Sequence, residues 1–223
     1  MIVTIDGPAG AGKSTASRMV AERLGYVLVD TGALYRGVAL AAKERGVSWD
    51  DGAALGALAR SLDVGFFPGE GGASRLLLGG ADRSSDIRTP EISQGASKVS
   101  AHPEVRDALL GLQRKLGADG GVVLEGRDIG TVVFPDAEVK VFLTASPETR
   151  ARRRVSDLAE RGIAVDYDET LAEIRERDTR DSTRPVAPLR PADDALVLDT
   201  SDLPLSEVVE RLATLVNSRA RRG

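Results

Sequence analysis

Cysteine is absent and histidine occurs once, at His102. Disulfides, thiolate metal sites, a cysteine nucleophile and any two-histidine metal site are therefore excluded. Aromatic residues make up only 4% of the chain. No apolar run approaches the ~18 residues that a membrane span needs, and there are no internal repeats or low-complexity blocks. The opening residues MIVTIDGPAG carry no basic region and no long apolar segment. They read as a strand and a turn rather than a signal peptide, so a cytoplasmic protein without a membrane partner is expected.

What is present is ordinary in bulk and lopsided in detail. The 223 residues are 42% hydrophobic, ample for a packed core. With 30 basic and 34 acidic residues the net charge is −4, which argues against a nucleic-acid partner. Of the 30 basic residues, 25 are Arg and 5 are Lys. Codon composition explains that bias as well as function does. The placement of the arginines is more telling, because a guanidinium offers a planar fork of donors for phosphate and carboxylate.

Short apolar runs alternate with amphipathic stretches. Strands are expected at Ile2–Ile5, Val27–Val29, Val122–Leu124, Val139–Leu143 and Ala195–Leu198. Helices are expected at Lys13–Leu24, Ala33–Arg45, Glu104–Leu116, Pro147–Arg161 and Leu205–Val216. Alternation of this kind predicts an α/β fold with a parallel sheet covered on both faces. The Gly- and Ser-rich stretch Val64–Thr89 breaks the rhythm and reads as a small antiparallel insertion. The tail SRARRG reads as frayed and solvated. Trp49, Phe66, Phe67 and Phe134 read as packing residues, and His102 as a turn residue before Pro103. Asp6 is open between a turn-forming role and contact with a metal-bound water.

Gly7-Pro8-Ala9-Gly10-Ala11-Gly12-Lys13-Ser14 fits G-x-x-x-x-G-K-[ST], with a strand directly before it and a helix directly after. Such a loop aims backbone N–H groups at phosphate oxygens where a helix dipole favours anions. Lys13 reaches the β/γ-phosphates, and the Ser14 hydroxyl is the expected Mg²⁺ ligand. A regulatory GTPase would need an N-K-x-D guanine reader, but the only asparagine is Asn217. A P-loop ATPase that is not a transferase would end a strand in acidic residues, which Val122-Val123-Leu124-Glu125 could imitate. A small kinase would need an acceptor site and a closing lid, and the remaining arginines can supply both.

Four further segments narrow this choice. They are Asp30-Thr31-Gly32-Ala33-Leu34-Tyr35-Arg36, Ser97 to Arg106, Glu125-Gly126-Arg127-Asp128-Ile129-Gly130-Thr131, and Glu176 to Pro185. In order and spacing, and over nearly the whole chain, they resemble the bacterial cytidylate kinases. Thr31 stands where serine is common and Leu34 where Met or Ile often sits; neither removes a functional group. The resemblance implies transfer of the γ-phosphoryl group of ATP to CMP or dCMP, with Mg²⁺, in pyrimidine nucleotide metabolism. It also implies a P-loop core with a five-stranded parallel sheet over residues 1–30, 107–149 and 166–223. A monophosphate-binding insertion would occupy 31–106 and a short helical lid 150–165. The enzyme is expected to act as a monomer on small nucleotides.

The resemblance carries roles residue by residue. Gly7 to Ser14 and Thr15 would hold ATP. Lys13, Arg36 and Arg127 would act on the transferring and receiving phosphates. Thr31 and Tyr35 would join the acceptor site. Asp128 would read the cytosine amino group, helped by Ser97 and Arg106. Asp181 would touch the ribose, and Arg177 and Arg184 the nucleotides. Geometry speaks independently in two places. On a helix Arg177, Asp181 and Arg184 share one face at i, i+4, i+7, which also fits a plain salt-bridge ladder. Arg150, Arg153 and Arg154 share another at i, i+3, i+4. They are expected to meet the ATP phosphates when the lid closes, with Arg152 solvated; a solvated helix paired to Asp157 and Glu160 is the competing reading.

Overall fold

Strands form where β-branched and leucine-rich runs stand between turn residues, and helices where apolar residues recur every three to four positions. The structure, a computed structural model, describes residues 1–68 and 74–221. In chain order it contains β1 (Ile2–Asp6), α1 (Lys13–Leu24), β2 (Val27–Asp30), α2 (Thr31–Glu44), α3 (Gly52–Ser61), β3 (Val64–Pro68), β4 (Ser74–Leu78) and β5 (Ala81–Asp82). It continues with α4 (Pro90–Val99), α5 (Pro103–Gly117), β6 (Val122–Gly126), β7 (Val139–Thr144), α6 (Pro147–Ala159), α7 (Tyr167–Thr183), β8 (Leu196–Asp199) and α8 (Leu205–Ala220). A π-helical turn, Ile129–Val133, follows β6.

Five strands run parallel in the order β2-β6-β1-β7-β8. The inner strand β6 is buried at every position, as a parallel strand covered on both faces should be. The edge strands are wetter and expose Val27 and Val197. Side chains alternate across the sheet. Val123 joins Val3, Ile5 and Leu143 under α1 and α8, where Val20, Val209 and Leu212 cover them. Val122 and Leu124 face the other way and meet Leu110, Leu116 and Phe134.

The region between β2 and α5 builds a second core from Val38, Leu55, Leu76, Ile92, Val105 and Leu109. Helix α5 is shared, since its first half packs here and Leu110 and Leu116 reach the sheet cluster. The antiparallel sheet expected in Val64–Thr89 is present as β3-β4-β5; residues 69–73 of that stretch lie outside the described residues. The hydrophobic pattern predicted neither α3 nor α4. Gly52 and Gly56 lower the helical signal of α3, yet a Cβ at Gly56 would lie 2.6 Å from Glu104 Cβ, so glycine is what lets α3 lie against α5. Helix α4 begins with Thr89 accepting from the Ile92 amide and Pro90 in the first turn, a capping signal that short periodicity left unread. At the C-terminus the tail is solvated as expected, with residues 218–221 exposed, but helical rather than frayed as far as Ala220; residues 222–223 lie outside the described residues.

Trp49 and Phe66 pack on the second core and Phe134 on the sheet cluster, while Arg75 stands 5.7 Å over the Phe67 ring. His102 stands immediately before α5 without capping it, and donates its Nε2 hydrogen to the Trp49 carbonyl at 2.9 Å.

One glycine fixes how the P-loop leaves the sheet. Gly7 has φ +144°, and an added Cβ would stand 1.9 Å from the Leu143 carbonyl oxygen of β7. Backbone in the middle of a sheet cannot give way, so Gly7→Ala should cost about 3 kcal/mol or more and abolish ATP binding. Gly25 also has positive φ (+67°) but nothing within 4 Å, so Gly25→Ala should cost only about 1 kcal/mol. Thermal denaturation with ATP titration checks both; equal losses would contradict the packing account.

Candidate active site

The carboxyl ends of β1, β2 and β6 meet at one end of the sheet, where open α/β sheets bind ligands. From β1 the chain turns through Gly7–Gly12 into α1. Gly10, at φ +76°, lies so close to α6 that a Cβ would be 3.0 Å from Arg150 Cβ. No side chain caps α1, so its first N–H groups are free for an anion. Lys13 is buried, with its Nζ donating to the Pro8 carbonyl at 2.7 Å. Burial, then the nearby Arg127, push its pKa well below the usual lysine range. The Ser14 hydroxyl donates to Glu125 Oε1 at 2.8 Å, while Glu125 Oε2 has no partner. Burial, then the Asp30 charge, push Glu125 up to about 7.

A cleft of about 230 Å³ opens beside this loop. Seven cationic side chains line it, Lys13, Arg36, Arg106, Arg127, Arg154, Arg177 and Arg184, against four carboxylates, Asp30, Glu125, Asp128 and Asp181. Such an excess, in a chain of net charge −4, marks an anion site. Helix α2 starts at the end of β2, capped by Asp30, and carries Thr31, Tyr35 and Arg36. Thr31 Oγ1 donates to the Glu125 carbonyl at 2.7 Å. Arg36 pairs with Asp30 but leaves its Nε unpartnered. Burial would raise Asp30, but the Arg36 guanidinium outweighs it and holds the carboxyl low.

After β6, Arg127 donates from Nε to Asp181 Oδ2 at 3.3 Å, and Arg177 Nε lies 3.8 Å from the same oxygen. Burial, then Arg127, push Arg177 down to about 10. Asp128 pairs with Arg106, and Arg184 Nη2 lies 3.6 Å from its Oδ1. Arg106 stands 5.5 Å over the Tyr35 ring. Pro185 ends α7, so Arg184 is extended just beyond it and donates to the Ala187 carbonyl at 2.7 Å. Thus Arg177 and Asp181 share a face as their spacing predicts, whereas Arg184 reaches Asp128 instead of Asp181.

A second cleft lies on the other side of the loop, bordered by Gly10 to Thr15, Arg153, Arg154, Asp157, Thr200 and Leu203. Gly10, Lys13, Ser14 and Arg154 border both clefts. Arg153 donates to the Thr200 carbonyl at 2.6 Å, and Arg152 is exposed. The expected row of three arginines is corrected at Arg150, which borders neither cleft. Its guanidinium pairs with Asp178 and donates to the Ala145 and Ala9 carbonyls at 2.9 and 3.2 Å. The reason is its place in the first turn of α6, directly under the P-loop. Ser97 also faces away from the clefts, and its hydroxyl accepts from Arg180 at 2.9 Å. Sequence reasoning underused Glu125, which lines the first cleft and whose acidic strand-end position was the available signal.

The cytidylate kinase family profile matches residues 3–218. The chain belongs to the cytidylate kinase family. The cytidylate kinase of Geobacter sp. (strain M21) is 52% identical over 223 residues, covering 100% of this chain and 95% of that one. That of Pasteurella multocida (strain Pm70) is 49% identical over 216 residues, covering 97% and 95%. An uncharacterized protein from Eubacterium ventriosum has a similar fold at 13% identity, with a TM-score of 0.55 over 98% of each chain. Within this cytidylate kinase family member, Arg150 works as a structural tie. Arg150→Met should lower stability by about 2 kcal/mol, because it strands Asp178 and two carbonyls. Arg152→Ala should stay within about 0.5 kcal/mol of the parent. Denaturant titration of both distinguishes a tie from a solvated lid residue.

Proposed function

We infer that the chain transfers the γ-phosphoryl group of ATP to CMP or dCMP, giving ADP and CDP or dCDP. It is a nucleoside monophosphate kinase. The observation that carries the site assignment is the meeting of two clefts at Lys13 and Arg154, with carboxylate-bearing strand ends on one side only. ATP takes the cleft that includes Thr15, with its phosphates on the amides of Gly10 to Ser14. CMP takes the cleft lined by Arg36, Arg127 and Asp128. Arg153 and Arg154 face the donor phosphates from the lid, residues 150–165, which closes with the insertion, residues 31–106, over the core and excludes water.

Both reactants are anions and little covalent work is needed beyond in-line transfer, so positioning and charge neutralisation do most of it. Arg36 and Arg127 grip the CMP phosphate, and the unpartnered Nε of Arg36 and of Arg177 are donors already buried there. Thr31 and Tyr35 frame the acceptor, and Asp181 meets the ribose. Lys13 neutralises charge on the group in flight. Mg²⁺ fits the donor set: the Ser14 hydroxyl and the Glu125 carboxylate, with its unpartnered Oε2, are hard oxygen ligands. Such an ion would complete its shell with phosphates and water. When bound it offsets negative charge on the phosphates. The reading takes the enzyme as a cytoplasmic monomer acting on free nucleotides. Among the described residues no helix is long and apolar enough to cross a membrane.

Two predictions follow from these roles. Lys13→Ala should lower turnover about a hundredfold or more while leaving the melting temperature unchanged or raised, since Lys13 is a cation buried among cations. Near-parental turnover would remove Lys13 from the donor site. For the base, cytosine presents an amino donor where uracil has a carbonyl, and a carboxylate accepts from that amino group. Asp128→Asn should lower kcat/KM on CMP and narrow the preference over UMP by about tenfold, roughly 1.4 kcal/mol. Equal loss on CMP and UMP would assign Asp128 to phosphate or metal chemistry instead.

A further inference from the structure

Asp6, the last residue of β1, borders neither cleft although it immediately precedes the P-loop. It is 4% exposed, and both oxygens are engaged. Oδ1 accepts from the Ile129 amide at 2.9 Å and Oδ2 from the Gly130 amide at 2.7 Å. These are the first two N–H groups of the π-helical turn Ile129–Val133, and the residues just before that turn are Arg127 and Asp128. A helix start leaves its first amides without partners, and Asp128 offers no side-chain cap to this one. A carboxylate bracketing two successive amides fixes both the height and the rotation of the peptide planes it holds. The turn also rests directly on β1: a Cβ at Gly130 would stand 2.9 Å from Thr4 Oγ1 and 3.4 Å from Asp6 Oδ2. Single π turns are uncommon and concentrate at functional sites.

We propose that Asp6 is a positioning residue for the acceptor nucleotide, holding Arg127 and Asp128 in register through the Ile129 and Gly130 amides while touching no substrate itself. The proposal rests on the reading that Arg127 and Asp128 bind CMP. Its consequence is asymmetric. A general loosening of β1 would disturb the P-loop, which follows Asp6 directly, and weaken both nucleotides alike. Loss of the bidentate grip disturbs the turn after β6 and weakens CMP alone. Asparagine keeps the shape but has one acceptor oxygen and sets an NH₂ against the second amide.

The test compares Asp6→Asn with Gly130→Ala, which keeps the carboxylate and presses the turn off it from the other side. Circular dichroism establishes which variants fold; because the Asp6 charge also acts on Lys13, Gly130→Ala, which keeps that charge, decides where the two differ. KM is measured for CMP and for ATP, and CMP binding alone by calorimetry without ATP or metal. The expected result is a rise of about tenfold in KM for CMP and a matching loss in CMP binding, with KM for ATP changed less than about twofold. Changes in the two KM values that lie within about threefold of each other, including no change, overturn the proposal. An unaltered chain that did not turn over CMP would instead overturn the acceptor-site reading. A CMP-active chain with indifferent Asp6 and Gly130 variants overturns this inference alone.

Discussion

Repulsion between like charges is the constraint on which the rest of the structure depends. Seven cationic side chains converge on one cleft, and in a partly dehydrated site their mutual repulsion is strong. Carboxylates are interleaved to contain it. Asp30 takes Arg36, Asp128 takes Arg106 and stands near Arg184, and Asp181 lies between Arg127 and Arg177. Each pair also fixes a guanidinium rotamer before a ligand arrives. The containment is incomplete, since Arg36 Nε, Arg177 Nε and Arg184 Nη2 are buried without a hydrogen-bond partner. Unpaired buried donors are costly, and the oxygens of an anionic ligand would relieve that cost. Lys13 and Arg177, whose affinities for their protons are lowered by burial and by Arg127, register the same tension.

The scaffold explains why the charges can converge. Asp30, Glu125 and Asp6 stand at the carboxyl ends of β2, β6 and β1, three neighbouring strands in parallel register. Parallel pairing brings all three ends to one edge of the sheet, so residues more than a hundred positions apart become neighbours, as with Ser14 and Glu125. The region between β2 and α5 approaches the same edge with a core of its own and meets the sheet cluster through α5.

Much of this was legible beforehand. The five strands were readable because each is a short apolar run between turn signals, and the P-loop because its glycines, Lys13 and Ser14 are a local pattern in a local context. Helices α3 and α4 were not, because two glycines dilute one and the other is only three turns long. Glycine at position 56 makes sense only once α5 lies across it. Arg150 shows the limit of helical spacing: its heptad neighbours Arg153 and Arg154 border a cleft, but Arg150 is covered by the P-loop and Asp178, partners distant in sequence.

By itself the sequence determined the phosphate loop, the alternation that makes a parallel sheet, and the supply of arginines and carboxylates, since these rest on residue type and short-range spacing. Tertiary structure decided which carboxylate restrains which arginine, which arginines face a cleft, and that Asp6 grips the turn behind Asp128. Those choices depend on strand order and on helix packing, and a linear pattern carries neither.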